Sequence, residues 1–247
     1  MLETVLDKIS NLCDILRLPG GLSAKLTEQA YSRADLALCY RLKRAGIVPG
    51  SILDVGANIG QFALSATLTW PGVPIVSFEP LPDAFASLST TARRHPAITP
   101  VRLALSDAPG ETDFHVTNQT QSSSLLPLGR RHLDTYQTIR ETGTIRVTVS
   151  TLSAELPKHP GPPPRLLKLD VQGAESRVLA GGGISLKEFQ WILLETATSP
   201  MYEGEVTFDD ISRQLQPLGF RFETPVHIHL SPSGTIGQFD ALFTRQA

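Results

Sequence analysis

Apolar residues in positions 1–46 recur at helical spacing, first Leu2, Val5, Leu6 and Ile9, then Leu36, Leu38, Tyr40 and Leu42, with a break at Leu18-Pro19-Gly20-Gly21. Two or three helices are expected there, forming an N-terminal helical cap over 1–46. The next 150 or so residues alternate short β-rich runs with helical patterns: Ser51 to Val55, 61–69, Ile75 to Phe78, 82–94, then 98–104. This rhythm predicts βαβ units and a mostly parallel sheet. It breaks at about 108–150, where short strands (Asp113 to Val116, Ile145 to Ser150) flank the polar stretch Thr117 to Gly143. An insertion of this kind is expected to act as a lid or substrate loop. Pro157, Pro160 and Pro162-Pro163-Pro164 then predict a stiff surface connector before Leu166-Leu167-Lys168-Leu169 resumes the sheet. Trp191 to Leu194, a helix near 209–218, and the runs Phe220 to Phe222 and Phe239 to Phe243 complete the pattern. The fold class is therefore α/β: a doubly wound, Rossmann-like sheet over 47–247, mostly parallel with an antiparallel last strand.

Composition narrows the function. With 247 residues and 41% hydrophobic content, the chain can bury a full core. A net charge of -2 without Lys or Arg runs provides no basic field for a nucleic-acid backbone, so a small substrate is expected. No apolar run reaches membrane-spanning length, and Glu3 and Asp7 stand where a signal peptide would be basic, which predicts a cytoplasmic protein without a membrane partner. Cys13 and Cys39 are the only cysteines and are read as buried apolar fillers. Oligomeric state is not encoded legibly.

The strongest local signal is Asp54-Val55-Gly56-Ala57-Asn58-Ile59-Gly60, a glycine turn between strand and helix that lets backbone approach a ligand. Glu79 ends the next strand, 23 residues after Gly56, where a carboxylate can accept both hydroxyls of a ribose; Pro80 follows it. An adenosine-type ligand is implied. Asn58 stands where a pyrophosphate turn needs its middle glycine, and Asp54 can pair with an ammonium, so S-adenosylmethionine is favoured over a dinucleotide. Ser106-Asp107 after the third strand suits either an adenine amine or a plain turn.

In the second half, Asp170 and Glu195 each end an apolar run. If the two strands are neighbours, both carboxylates reach the same sheet edge and could serve a general base. Glu175 is a third acid nearby, and Gln172-Gly173 forms a tight turn that could approach substrate. Asp170 and Glu195 could hold Mg²⁺ if they converge; the alternatives are a helix cap for Asp170 and a partner such as Lys168 or Arg177 for Glu195. His115 and His132 flank the insertion as rival bases, with an ordinary surface-loop role as the other reading. His227 and His229 share a strand face, but two ligands without a third form a poor metal site. Ser122, Ser123, Ser124 and Met201-Tyr202-Glu203 are candidates for the acceptor pocket.

The segments ILDVGANIGQF, FEPLPDAF, ALSD, LLKLDVQGAESRVLAGG, ILLETATSPMYEGE and QFDALFTR, in this order over residues 40–245, resemble the FkbM-type methyltransferases. The resemblance implies methyl transfer from S-adenosylmethionine, mostly to hydroxyls of secondary metabolites, sugars or glycolipids. It implies that Asp54, Gly56, Asn58 and Gly60 contact the methionine part, Glu79 the ribose, and Asp107 the adenine region. Thr151-Leu152-Ser153 stands where the family often carries an Asp. Two other functions compete: an NAD(P)-dependent oxidoreductase, disfavoured by Asn58 and by the lack of a Tyr-x-x-x-Lys pair, and a non-catalytic binding protein on the same fold.

Overall fold

A computed structural model describes residues 19–230, 234 and 236–246. The first stretch of the expected helical cap, Leu2 to Ile9, and Cys13 lie outside the described residues. The cap continues as α1 (Gly21–Thr27) and α2 (Arg33–Arg44). The Ser32 hydroxyl starts α2 by accepting the Asp35 N–H at 3.2 Å.

The main fold then runs β1 (Ser51–Val55), α3 (Gln61–Thr69), β2 (Ile75–Phe78), α4 (Pro82–Arg94), β3 (Ile98–Val101), β4 (Ala104–Ser106), β5 (Gly110–Thr117), α5 (Arg130–Thr135) and β6 (Glu141–Thr151). It continues through α6 (Leu152–Glu155), β7 (Arg165–Leu169), α7 (Glu175–Gly182), β8 (Phe189–Ala197), α8 (Phe208–Leu215), β9 (Phe220–Leu230) and β10 (Ile236–Arg245). Seven strands form one sheet in the order β3-β2-β1-β7-β8-β10-β9. β10 is antiparallel to both its neighbours and the other pairings are parallel. The α/β, mostly parallel architecture with an antiparallel closing strand is as expected.

Strand alternation explains why the sheet is covered on both faces. Ile52, Leu166, Leu193 and Leu242 point to the side covered by α2, α3 and α4, where Leu42, Phe62 and Leu88 pack against them. Leu53, Val55, Leu167, Leu169, Ile192 and Leu194 point to the opposite side, against Val178 and Leu179 of α7 and Ile211 and Leu215 of α8. Because both faces are buried, β1 and β7 have no exposed residue, and even their polar members Ser51, Asp54, Arg165 and Lys168 are buried. Cys39 is buried among these side chains as an apolar filler.

Two boundaries differ from the expectation. The run 98–104 is not one strand: β3 ends at Val101 in the main sheet, and β4 pairs instead with β6. Arg102-Leu103 carry the chain between the two sheets. The segment 108–150 is not chiefly loop either, because β5 and β6 form a long antiparallel ladder from Gly110↔Val149 to Thr117↔Glu141. With β4 they make a second, three-stranded sheet. Only residues 118–140 leave the ladder, as an excursion containing α5.

Sheet order reverses between β1, which leads to β2 and β3, and β7, which leads to β8. Open α/β sheets form their ligand crevice at the carboxyl ends of strands at such a point. No helix among the described residues is long and apolar enough to cross a membrane.

Candidate active site

A cavity of about 400 Å³ opens at this crevice, within the size range of small-molecule sites. Its floor is the carboxyl edge of β2, β1, β7 and β8, and the excursion 118–140 supplies much of its roof, including Gln119, Thr120, Gln121, Ser122 and Ser123. The polar insertion is thus part of the site's wall.

At the β1 end, Gly56 and Ala57 donate their N–H groups to the Phe78 carbonyl, both at 3.0 Å, which ties the glycine turn to β2. Gly56 has φ +80, and a Cβ there would stand 1.8 Å from the Asp170 carbonyl oxygen. Its small size therefore serves the contact between the loops after β1 and β7, more than the ligand approach expected from sequence. Asn58 occupies left-handed space at φ 48. Its N–H donates to Glu79 Oε2 at 2.8 Å, and its amide reaches Thr120 Oγ1 at 3.3 Å, joining the turn to the roof.

Glu79 also accepts the Leu81 N–H on Oε1 at 2.8 Å. Each oxygen retains capacity for another hydrogen bond. Burial pushes its pKa up to about 7, against the two N–H donors, which favour the charged form. Glu79 and Pro80 line the cavity, as do Gly56 and Asn58.

Four expected cofactor positions lie elsewhere. Gly60, at φ +96, precedes α3 and packs against Leu88, outside the cavity wall. Ser106 and Asp107 also lie outside it: Ser106 donates to Asp107 Oδ1 at 2.9 Å, and the Ser106 carbonyl is pressed against Gly181 of α7. Leu103, Ala104 and Leu105 line that end in their place. Asp54 is fully buried beneath the floor, where Lys168 Nζ stands 3.4 Å from Oδ1 and the Ser77 hydroxyl donates to Oδ2 at 3.2 Å. Asp54 thus has a lysine of the protein as its ammonium partner.

Lys168 is the residue the sequence reading valued least relative to its place. It comes off β7 between Asp54 and Asp170, 3.3 Å from Asp170 Oδ2, with Phe62 under its ammonium at 5.5 Å. Burial works against its charge, but Asp170, Asp54 and Asp35 together outweigh that effect and hold its pKa above the ordinary value. Asp35, from α2, lines the same cavity, and burial raises its carboxyl. No motif marks Asp35, because its role depends on how the cap folds back.

The expected convergence of Asp170 and Glu195 is realised through Gln172. The Gln172 side-chain N–H₂ donates to Asp170 Oδ1 at 2.7 Å and to Glu195 Oε2 at 2.9 Å. Its carbonyl oxygen accepts from the Tyr202 hydroxyl at 2.7 Å. Gln172 itself stands at φ 56, an uncommon conformation for a residue with a Cβ. An amide thus fills the space between the two carboxylates where a cation would have to sit, and Mg²⁺ on that pair is not supported. Burial, then the charges of Asp170 and Asp240, push the Glu195 carboxyl well above its usual range.

Glu175 does not line the cavity. It is buried below the 171–174 turn and accepts the Val171 N–H at 2.8 Å, with burial raising its pKa to about 8. Its carboxylate shapes the loop that carries Gln172. Tyr202 is likewise behind the wall, while Ser122 and Gln172 are on it. Ser123 lines the wall and its hydroxyl accepts the Thr117 N–H at 3.0 Å; Ser124 donates to the Gln172 carbonyl at 2.7 Å.

The two insertion histidines separate. His115 is on β5, 3.2 Å from Glu141, outside the cavity. His132 is buried on the wall between the rings of Tyr136 and Tyr202, its Nδ1 without a partner and its pKa lowered by burial. A surface-loop reading of His132 is therefore corrected: α5 turns it inward.

Residues 54–222 match the model of the Methyltransferase FkbM domain. The chain is 28% identical over 239 residues to 31-O-demethyl-FK506 methyltransferase FkbM of Streptomyces tacrolimicus, covering 86% of this chain and 90% of the relative. It is 31% identical to 2-O-methyltransferase NoeI of Sinorhizobium fredii, over 63% of this chain and 66% of that one. It is 28% identical to hexuronic acid methyltransferase AglP of Haloferax volcanii, over 58% and 54%. Among solved structures, TehB from Haemophilus influenzae shares the fold at TM-score 0.50 and 13% identity, covering 93% of this chain and 67% of that one. Since the matched segment spans most of the chain and contains both the glycine turn and the paired acids, the chain belongs to the FkbM methyltransferase family.

Proposed function

We propose that this protein is an S-adenosylmethionine-dependent O-methyltransferase acting on a hydroxyl of a small molecule, in the class of secondary metabolites, sugars and glycolipids. The observation that carries the reading is the order of groups along one sheet edge. Glu79 follows β2, Gly56 follows β1, Asp170 follows β7 and Glu195 stands near the carboxyl end of β8, all lining one cavity. Three inter-strand steps separate the first acid from the last, about 14 Å. That span accommodates a nucleoside at one end and a methyl acceptor at the other. The names of the relatives, two of which specify an O-methyl position and a third a sugar acid, support the acceptor class.

The cavity fits the cofactor. Glu79 has two carboxylate oxygens able to accept ribose hydroxyls, with apolar Leu103 to Leu105 beside it for a base, and Asp35 provides an acidic group toward an amino-acid ammonium. When bound, S-adenosylmethionine supplies an electrophilic methyl group on a sulfonium. The chain contributes alignment, exclusion of water and removal of one proton from the acceptor hydroxyl. We assign that proton to Asp170, which is ion-paired with Lys168 and held by Gln172. Glu195, held by the same amide, positions the acceptor. As the acceptor oxygen is methylated, its proton would pass to the Asp170 carboxylate.

Calorimetric titration with S-adenosylmethionine and with NAD(P) tests the cofactor, and a mass gain of one methyl across a panel of hydroxylated metabolites and sugars tests the reaction. Binding of NAD(P) alone would overturn the proposal. Cofactor binding with no acceptor methylated across the panel favours a binding protein on the same fold.

A further inference from the structure

We propose that His227, His229 and Asp240 form a binding site for one divalent first-row transition-metal ion at the rim of the cavity, with Glu195 within reach as a further ligand.

The site arises from strand register. His227 and His229 are two apart on β9 and share a face. Asp240 of β10 is paired with His227 on one side and with Glu195 of β8 on the other. One rung of the sheet therefore aligns His227, Asp240 and Glu195 across three strands, and His229 stands one side-chain step along. Two histidines alone were a poor site, and β10 supplies the third ligand that the sequence reading lacked.

The ligand atoms are close enough to share an ion. His227 Nδ1 is 3.1 Å from His229 Nε2 and 3.4 Å from Asp240 Oδ2, and His229 Nε2 is 4.0 Å from that oxygen. All three lie within 4.8 Å of one another. Bonds of about 2.0–2.2 Å from an ion to nitrogen and oxygen place neighbouring ligands roughly 3–3.5 Å apart. Two separations already fit and the third closes by a small side-chain rotation. Glu195 Oε1 is 3.9 Å from His229 Nε2.

Two imidazoles and a carboxylate select Zn²⁺, Mn²⁺, Co²⁺ or Fe²⁺ over Mg²⁺, which prefers all-oxygen sites. Among the described residues this is the one group of three such side chains so arranged. His229 and Glu195 both line the cavity, so an ion here has a coordination position facing the acceptor space. A role in polarising an acceptor hydroxyl rests on the methyl-transfer reading. Binding itself does not.

The test is titration of tag-free, chelator-stripped full-length protein with Co²⁺, read by its visible absorption, followed by competition with Zn²⁺ and with Mg²⁺. One equivalent of Co²⁺ should bind, be displaced by Zn²⁺ and resist equal Mg²⁺. His227→Gln and Asp240→Asn, which keep size and sheet, should each weaken binding on the order of 100-fold, while His115→Ala should leave it unchanged. Absence of a one-equivalent site in the wild type, or retention of it in both variants, overturns the proposal whatever the methylation assay shows. Absence of methylation across the acceptor panel with one equivalent of Co²⁺ bound would count against the methyl-transfer reading and leave the metal site standing.

Discussion

The side-chain amide of Gln172 donates to Glu195 at 2.9 Å while also holding Asp170, so one residue in a left-handed conformation positions both acids. Asp170→Asn and Glu195→Gln are each expected to lower kcat by about 10²–10⁴-fold, with S-adenosylmethionine affinity within a few-fold of wild type. Gln172→Gly relieves the backbone but removes the hydrogen bonds to Asp170, Glu195 and Tyr202, so it should lower kcat on the order of tenfold or more. Steady-state kinetics beside calorimetric binding checks all three. Unchanged turnover in the two acid variants makes both carboxylates structural and turns attention to His132.

Glu79 gives a prediction on cofactor binding. Glu79→Ala removes two charge-assisted hydrogen bonds and should weaken S-adenosylmethionine binding on the order of 100-fold or more. Its pKa near 7 adds a pH dependence. Below that value the carboxyl is protonated and a weaker acceptor, so affinity should rise by about tenfold from pH 6 to pH 8. Glu79→Gln should flatten that profile; a wild-type profile already flat would count against the ribose assignment.

The same two buried acids make stability depend on pH in a definite direction. Glu79 at about 7 and Glu175 at about 8 both have folded pKa values raised above the ordinary 4.5. A raised acid contributes stability that is complete below its unfolded pKa and is lost as pH rises through its folded one. The ligand-free protein should therefore melt several degrees lower at pH 8.5 than at pH 5.5, in a range where paired carboxylates usually leave stability level. Glu175→Gln keeps an acceptor for the Val171 N–H and should reduce that loss. An equal loss in the variant would show that Glu175 is already ionised at pH 5.5.

Gly56→Ala tests the contact between the two loops. The new Cβ meets the Asp170 carbonyl in a residue that also has positive φ, a cost of about 2–4 kcal/mol or roughly 5–15 °C in Tm. Gly72→Ala, at φ +83 with open space around it, isolates the conformational part and should cost about 1 kcal/mol. Equal melting temperatures for the two variants would remove the argument for a close approach at Gly56.

Amide exchange tests the roof. Residues 118–140 should exchange faster than the β5–β6 ladder in free protein and slow when S-adenosylmethionine and product are bound. Identical protection with and without ligands would make the excursion a fixed wall.

Legibility in the sequence followed the physics of each residue. Asp54, Glu79, Asp170 and Glu195 could be placed because parallel strands deliver their last residues to one edge, so a run of apolar residues ending in an acid marks position without knowledge of partners. Partners were another matter. That Lys168 satisfies Asp54, that Glu175 holds a turn, and that Asp240 meets His227 all depend on which strands become neighbours and in what register, and local pattern does not encode this. His132 was misjudged because polar sequence around it masks a short helix that turns one face inward. Ser106 and Asp107 lay outside the cavity wall because β4 leaves the main sheet, a departure that the run 98–104 does not announce.

The ladder that carries the roof closes at a narrow neck, where Asn118 and Arg140 exchange hydrogen bonds at 3.1 and 2.9 Å just beyond Thr117↔Glu141. The excursion is also anchored from within: Ser124 donates to the Gln172 carbonyl, the Gly129 N–H to the Met201 carbonyl, and Leu126, Leu128 and Ile139 pack with Ala174 and Tyr202. A substitution within 118–140 therefore acts in two directions, on the roof of the cavity and, through Ser124, on the loop that carries Gln172.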